Sequence, residues 1–131
     1  VAPALAQVGN MYYYGIGEQQ DCALGLEYYR RAAEGGFVNA YNNVGLAYQQ
    51  GLAVQPDNQF AVECYKKAIK GGCVQAYHNL AICYELGLGV ERDLKQAAKL
   101  YQKAVKGGVK ESFIGLVRVL KAIEDEKNAR S

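Results

Sequence analysis

Residues 76–93 read AYHNLAICYELGLGVERD, and the same pattern stands 36 residues earlier at 40–57, AYNNVGLAYQQGLAVQPD, and 36 earlier again at 4–21, ALAQVGNMYYYGIGEQQD. Within 40–57 the residues Ala40, Val44 and Tyr48 recur every fourth position and so share one stripe of a helix, which Gly51 ends. A turn through Leu52 to Pro56 follows, because proline cannot continue a helix, and Asp57 is placed to cap the next one. That second helix is predicted over about 58–70, with Ala61, Tyr65, Ala68 and Ile69 inward and Glu63, Lys66, Lys67 and Lys70 in water. The lysines at its end suit the negative pole of the helix dipole. Gly71-Gly72 stops it.

Working outward, the 36-residue step holds along the chain without insertion or deletion: Gly15, Gly51, Gly87; Asp21, Asp57, Asp93; Tyr29, Tyr65, Tyr101; Ala32, Ala68, Ala104; and Gly35, Gly71, Gly107. Such a step marks an array of helix pairs, each burying its apolar face mainly against neighbours. The expected fold is all-α, an α/α superhelix of three repeats over 4–39, 40–75 and 76–111, closed by a capping helix at about 112–127. Asp93 followed by Gln96 reads as a capping box. Phe113, Leu116, Val117 and Leu120 form one more apolar face after the third unit. Gly45, Ala61, Ala68, Ala81, Ala97 and Ala104 leave room for the partner helix's tyrosines. Of the consecutive Tyr12, Tyr13 and Tyr14, which point about 100° apart on a helix, Tyr13 is expected to face outward.

These columns resemble the Sel-1-like repeat (SLR) family, relatives of the tetratricopeptide repeats, over Ala4 to Gly108. The best stretch, 76–93, continues to Ala97, Tyr101, Lys103, Ala104 and Gly107 and is similar to the family pattern A-x-x-N-L-G-x-x-Y-x-x-G-x-G-V-x-x-D…A…Y…K-A…G. Ala81 replaces the helix glycine, Ala53 a turn glycine, and Gly25 stands where Ala61 and Ala97 stand later. The resemblance implies a superhelical adaptor of signalling, protein quality control or bacterial host-contact systems, and no enzymatic activity.

The composition agrees with a binding role and is a poor kit for catalysis. The 131 residues hold one histidine, His78, and serine only at Ser112 and Ser131. A serine triad would need Ser112 or Ser131 beside His78 and a carboxylate, and Ser112 lacks the glycines of a nucleophile elbow. No C-x-x-C pair supports a zinc site. Gly15-Ile16-Gly17 lacks the third glycine, the preceding strand and the lysine of a phosphate loop. No cofactor and no metal are therefore expected. A formal charge of +2 is too balanced for a nucleic-acid footprint, and no apolar run is long enough for membrane insertion. Cys64, Cys73 and Cys83 share their columns with apolar residues, as buried thiols in a reduced intracellular compartment would, and no disulfide is assigned. Cys22 follows Asp21 near the start of a helix, where a reactive thiol is the alternative reading. The chain starts at Val1 without an initiator methionine and is expected to be a piece of a larger protein.

With the fifth position of each first helix taken as the core direction, the third, seventh and tenth positions fall on the opposite side. These columns supply the candidate partner-binding residues: Tyr13 in the first repeat, Asn42, Leu46 and Gln49 in the second, and His78, Ile82 and Glu85 in the third. Amides suit an extended peptide backbone, and Leu46 and Ile82 suit apolar side chains, though both equally suit packing against neighbouring helices. His78 shares its column with Ala6 and Asn42 and is expected to be solvated or at the groove edge, with a pH-sensitive partner contact as its functional reading. The expected function is a non-catalytic adaptor that binds a protein or peptide on a concave first-helix face. The alternative is a spacer or oligomerisation unit that stacks through its terminal repeats on its parent chain or on another copy.

Overall fold

The computed structural model describes residues 1–131: seven helices and no strand. They are α1 (Ala2–Tyr14), α2 (Cys22–Glu34), α3 (Ala40–Gln50), α4 (Asn58–Lys70), α5 (Val74–Leu86), α6 (Leu94–Lys106) and α7 (Glu111–Ala129). The chain divides into two compact units, Val1–Cys73 with α1 to α4 and Val74–Ser131 with α5 to α7.

The helix ends repeat one design three times. Gly15, Gly51 and Gly87 close α1, α3 and α5 with φ of 70°, 67° and 73°, a left-handed conformation that a side chain disfavours. The carboxylates of Asp21, Asp57 and Asp93 then accept from the backbone N–H of Leu24, Phe60 and Gln96 at 3.0, 3.0 and 3.1 Å, satisfying a donor that has no partner inside the helix. The expected capping box at Asp93 is only half formed. The backbone N–H that Gln96 would have to satisfy donates instead to the Tyr84 carbonyl at 2.9 Å, just as Asp21 donates to Tyr12 at 2.7 Å and Asp57 to Tyr48 at 3.0 Å. Each aspartate thus sews the second helix of a pair to the end of the first.

Inside each pair, the tyrosine of the second helix is the most deeply buried large side chain: Tyr29, Tyr65 and Tyr101 are 1%, 0% and 0% exposed. Truncating a buried aromatic of this size costs about 3–5 kcal/mol. Room for the ring comes from a missing side chain. A Cβ at Gly9 would lie 2.7 Å from the Tyr29 ring and one at Gly45 2.7 Å from Tyr65, whereas for Tyr101 the room is left by Gly115 of α7, where a Cβ would lie 2.5 Å from the ring. In the first unit Tyr13, Leu26, Tyr29, Val44, Ala47 and Cys64 form one buried cluster, and Arg30 of α2 donates to the Tyr48 hydroxyl of α3. In the second unit α7 packs on α6 with Ser112, Gly115 and Val119 buried, while Phe113, Val117 and Leu120 of its expected apolar face are 59%, 52% and 51% exposed.

Candidate functional site

In the first unit the position of Tyr13 corrects the expectation: it is buried, 3% exposed, and Tyr14 is the outward ring of the three at 55%. Its hydroxyl donates to Gln50 Oε1 of α3 at 2.7 Å, and its ring lies 5.7 Å from that of Tyr29. Burial, with smaller contributions from Cys22 and Tyr14, pushes the phenol up to about 12. Gln49, in the same column, accepts a hydrogen bond from the Tyr65 hydroxyl of its own pair. Asn42 is buried, 6% exposed. Of the first unit's candidates only Leu46 remains half-buried with no polar duty.

The second unit shows the same column at work with charge. Glu85 accepts from the Tyr101 hydroxyl at 2.6 Å and receives Arg118 of α7 bidentately, Nε to Oε2 at 2.6 Å and Nη2 to Oε1 at 2.8 Å. The hydrogen bond from Arg118 is the main reason its carboxyl is held below the usual carboxylate range, with Tyr101 adding to it and burial opposing. His78 is half-buried and not fully solvated. Its Nδ1 sits 2.6 Å from Ser112 Oγ, and its ring stands edge-on to Tyr101 at 5.6 Å. Burial lowers the imidazole's pKa below its ordinary 6.5, against the smaller opposing pull of Glu111. Ile82 is half-buried.

The tenth column is therefore a hydrogen-bonding seam, not an open face. The second helix's tyrosine reaches across the pair, and its hydroxyl ends at the tenth residue in the second and third repeats and at Asn10 in the first, 2.6 Å away. The open edge lies one residue further on. Leu46 and Ile82 continue at i+4 to Gln50 and Leu86, and Asn10 continues to Tyr14. Tyr14 and Leu86 are 55% and 61% exposed. Sequence reasoning missed this because a residue three or four positions on lies equally close to the stripe, and only the direction of the second helix's tyrosine tells which is taken.

Ser112 and His78, the two residues a triad would have needed, are in hydrogen-bond contact. Ser112 is nevertheless 0% exposed, so its hydroxyl meets no substrate and acts as a tie between α5 and α7. Cys64, Cys73 and Cys83 are buried and Cys22 is partly so, all as free thiols. Burial pushes the thiols of Cys64 and Cys83 up to about 11, the opposite of what a nucleophile requires. The Cys22 thiol donates to the Tyr13 carbonyl at 3.5 Å. No helix is long and apolar enough to cross a membrane.

Comparison with known proteins places this geometry. The Sel1 repeat model matches three times, at residues 2–37, 38–73 and 74–109, two residues ahead of the frame set by the alanine columns. A Sel1 repeat protein from Oxalobacter formigenes is 34% identical with a TM-score of 0.83, the match covering 88% of this chain and 46% of that one. A protective antigen present in uropathogenic Escherichia coli strains, displaying an SLR fold, is 35% identical with a TM-score of 0.76, covering 82% of this chain and 23% of that one. The cysteine rich protein B of Helicobacter pylori, at 23% identity and a TM-score of 0.69 over 85% of this chain and 86% of that one, shares the fold. No curated protein matches the chain. This chain thus spans less than half the length of the first two structures. Sel1 repeats serve generally as protein–protein interaction modules and their proteins are typically non-catalytic scaffolds. Three tandem matches, the aspartate-capped helix pairs and the buried tyrosine of each pair agree: the chain belongs to the Sel1 repeat family, with its all-α solenoid repeat fold.

Proposed function

We propose that this chain is a non-catalytic protein-interaction module whose first-helix stripes take up a protein or peptide. The supporting observation is the division of labour along each stripe. Polar candidates such as Tyr13, Gln49, His78 and Glu85 are spent on hydrogen bonds between helices. The apolar residues beside them are Leu46, half-buried, in the first unit, and Ile82 with Leu86, half-buried and exposed, in the second. A rigid, hydrogen-bonded backing behind a graded apolar edge offers desolvation to a partner's side chains at little ordering cost to the module.

The test is affinity capture with the wild-type chain and with Leu46→Arg plus Ile82→Arg, each checked by thermal melting, and a parallel capture with Tyr14→Arg plus Leu86→Arg. The expected result is a set of proteins lost from both pairs of variants, with the melting temperature held at least in the second pair, whose parent residues are mostly in water. Retention of every captured protein by both variants overturns the proposal.

A further inference from the structure

Helix α7 occupies the register of a first helix. Ser112 and Val119 stand 36 residues after Ala76 and Cys83, and all four are 0% exposed. By the same step Phe113, Leu116, Val117 and Leu120 correspond to Tyr41, Val44, Gly45 and Tyr48 of α3. In α3 that face packs on its paired second helix: Tyr48 meets Phe60 with ring centroids 4.5 Å apart, and Gly45 accommodates Tyr65. Within residues 1–131 no second helix pairs with α7: Ile123 stands where Gly15, Gly51 and Gly87 make the turn, and the helix runs on to Ala129. The uncovered face holds Phe113, Ile114, Val117 and Leu120, 59%, 67%, 52% and 51% exposed.

We propose that this face is covered by α7 of a second copy of the chain, antiparallel and centred on Val117. The charges flanking the patch select that occupant and that direction. Lys110 and Glu124 each stand seven residues from Val117, nearly two full turns, and so share its stripe to within about 40° of one another. Both are exposed and neither forms an ion pair within the chain. An antiparallel twofold about Val117 places Lys110 against Glu124 of the other copy twice, and Ile114 against Leu120. Phe113 then lies under the aliphatic stem and ammonium of Lys121. A parallel pair would set Lys110 on Lys110 and Glu124 on Glu124. Arg118 is bound to Glu85 and Glu126 to Arg92 at 2.7 Å, so neither of these two charges is free for the seam. One helix per copy, about 28 Å long, makes a small contact of the transient class.

Sedimentation equilibrium of the 131-residue chain over a concentration series, with paired cysteine variants in a Cys22→Ser background, tests the proposal. The mass is expected to climb from 14.3 kDa towards twice that value as concentration rises. Val117→Cys should cross-link to itself on mild oxidation and Phe113→Cys should not, because its symmetry mate lies eight residues along the helix, about 12 Å away. Lys110→Glu and Glu124→Lys should each weaken association about tenfold or more, and an equimolar mixture of the two should restore it as a heterodimer. Circular dichroism of each variant reports that α7 still folds. A chain that stays monomeric at its highest soluble concentration overturns the proposal. So does cross-linking at residue 113 as readily as at 117, or association indifferent to both charge reversals.

Discussion

Replacing Arg118 with methionine keeps an apolar stem on α7 and removes the guanidinium that closes on Glu85. The Glu85 side chain is 11% exposed and that of Arg118 56%, so the carboxylate has little water to fall back on while the guanidinium has much. The loss is therefore that of a charge-assisted pair at a mostly buried acceptor, discounted for the solvent on the arginine side, and comes to about 1–2 kcal/mol. For a chain of this size that is a fall in Tm of about 3–8 °C at pH 7. The pH dependence separates this cause from simple loss of packing. Because Arg118 and Tyr101 depress the carboxyl of Glu85 below its usual 4.5, the stabilisation is complete above that value and disappears as the pH falls through the depressed one. Thermal melts of wild type and Arg118→Met followed by circular dichroism from pH 7 downward should thus converge in acid. A gap in Tm that keeps its size after Glu85 is protonated would show that the arginine acts through its stem, and a gap of nothing at neutral pH would refute the reasoning altogether.

His78 carries the opposite kind of prediction from the same interface. Its pKa is lowered by burial, so the neutral ring is favoured by folding, the stability it confers is whole above pH 6.5, and it is lost as the pH falls below that value through the depressed one. The stability of wild type relative to His78→Asn, measured in urea at pH 7.5 and at successively lower pH, should shrink on acidification; an unchanged difference would remove the imidazole as the cause. Asp57→Ala deletes the acceptor for the Phe60 amide and should cost about 1 kcal/mol in a denaturant titration, with Asp57→Asn recovering most of it; equal losses in the two variants would point away from capping.

The repeat was legible because it rests on local rules. A glycine at positive φ, an aspartate with a free amide three residues on, and apolar residues every third or fourth position act through neighbours a turn away, so α3 and α4 begin and end where the sequence places them. The half-formed capping box at Asp93 marks the limit of such rules, because a carbonyl from the preceding helix, Tyr84, took the donor that Gln96 was expected to satisfy. The candidate site was legible only as a stripe. Whether Tyr13 or Tyr14 faces outward depends on where the Tyr29 ring enters, and His78 is half-buried instead of fully solvated because Ser112, 34 residues away in sequence, comes within 2.6 Å.

The sequence by itself determined the period, the helix ends, the buried tyrosine column of Tyr29, Tyr65 and Tyr101 and the lack of an obvious catalytic kit, since each follows from the chemistry of residues close along the chain. Only the tertiary structure decided which polar residues are consumed as ties, that Arg118 and Glu85 form one network with Tyr101, and that α7 keeps an apolar face in water. The physical reason is that a helix shows its pattern in sequence, whereas the neighbour that covers or uncovers each side of it comes from a distant part of the chain, and burial belongs to the pair.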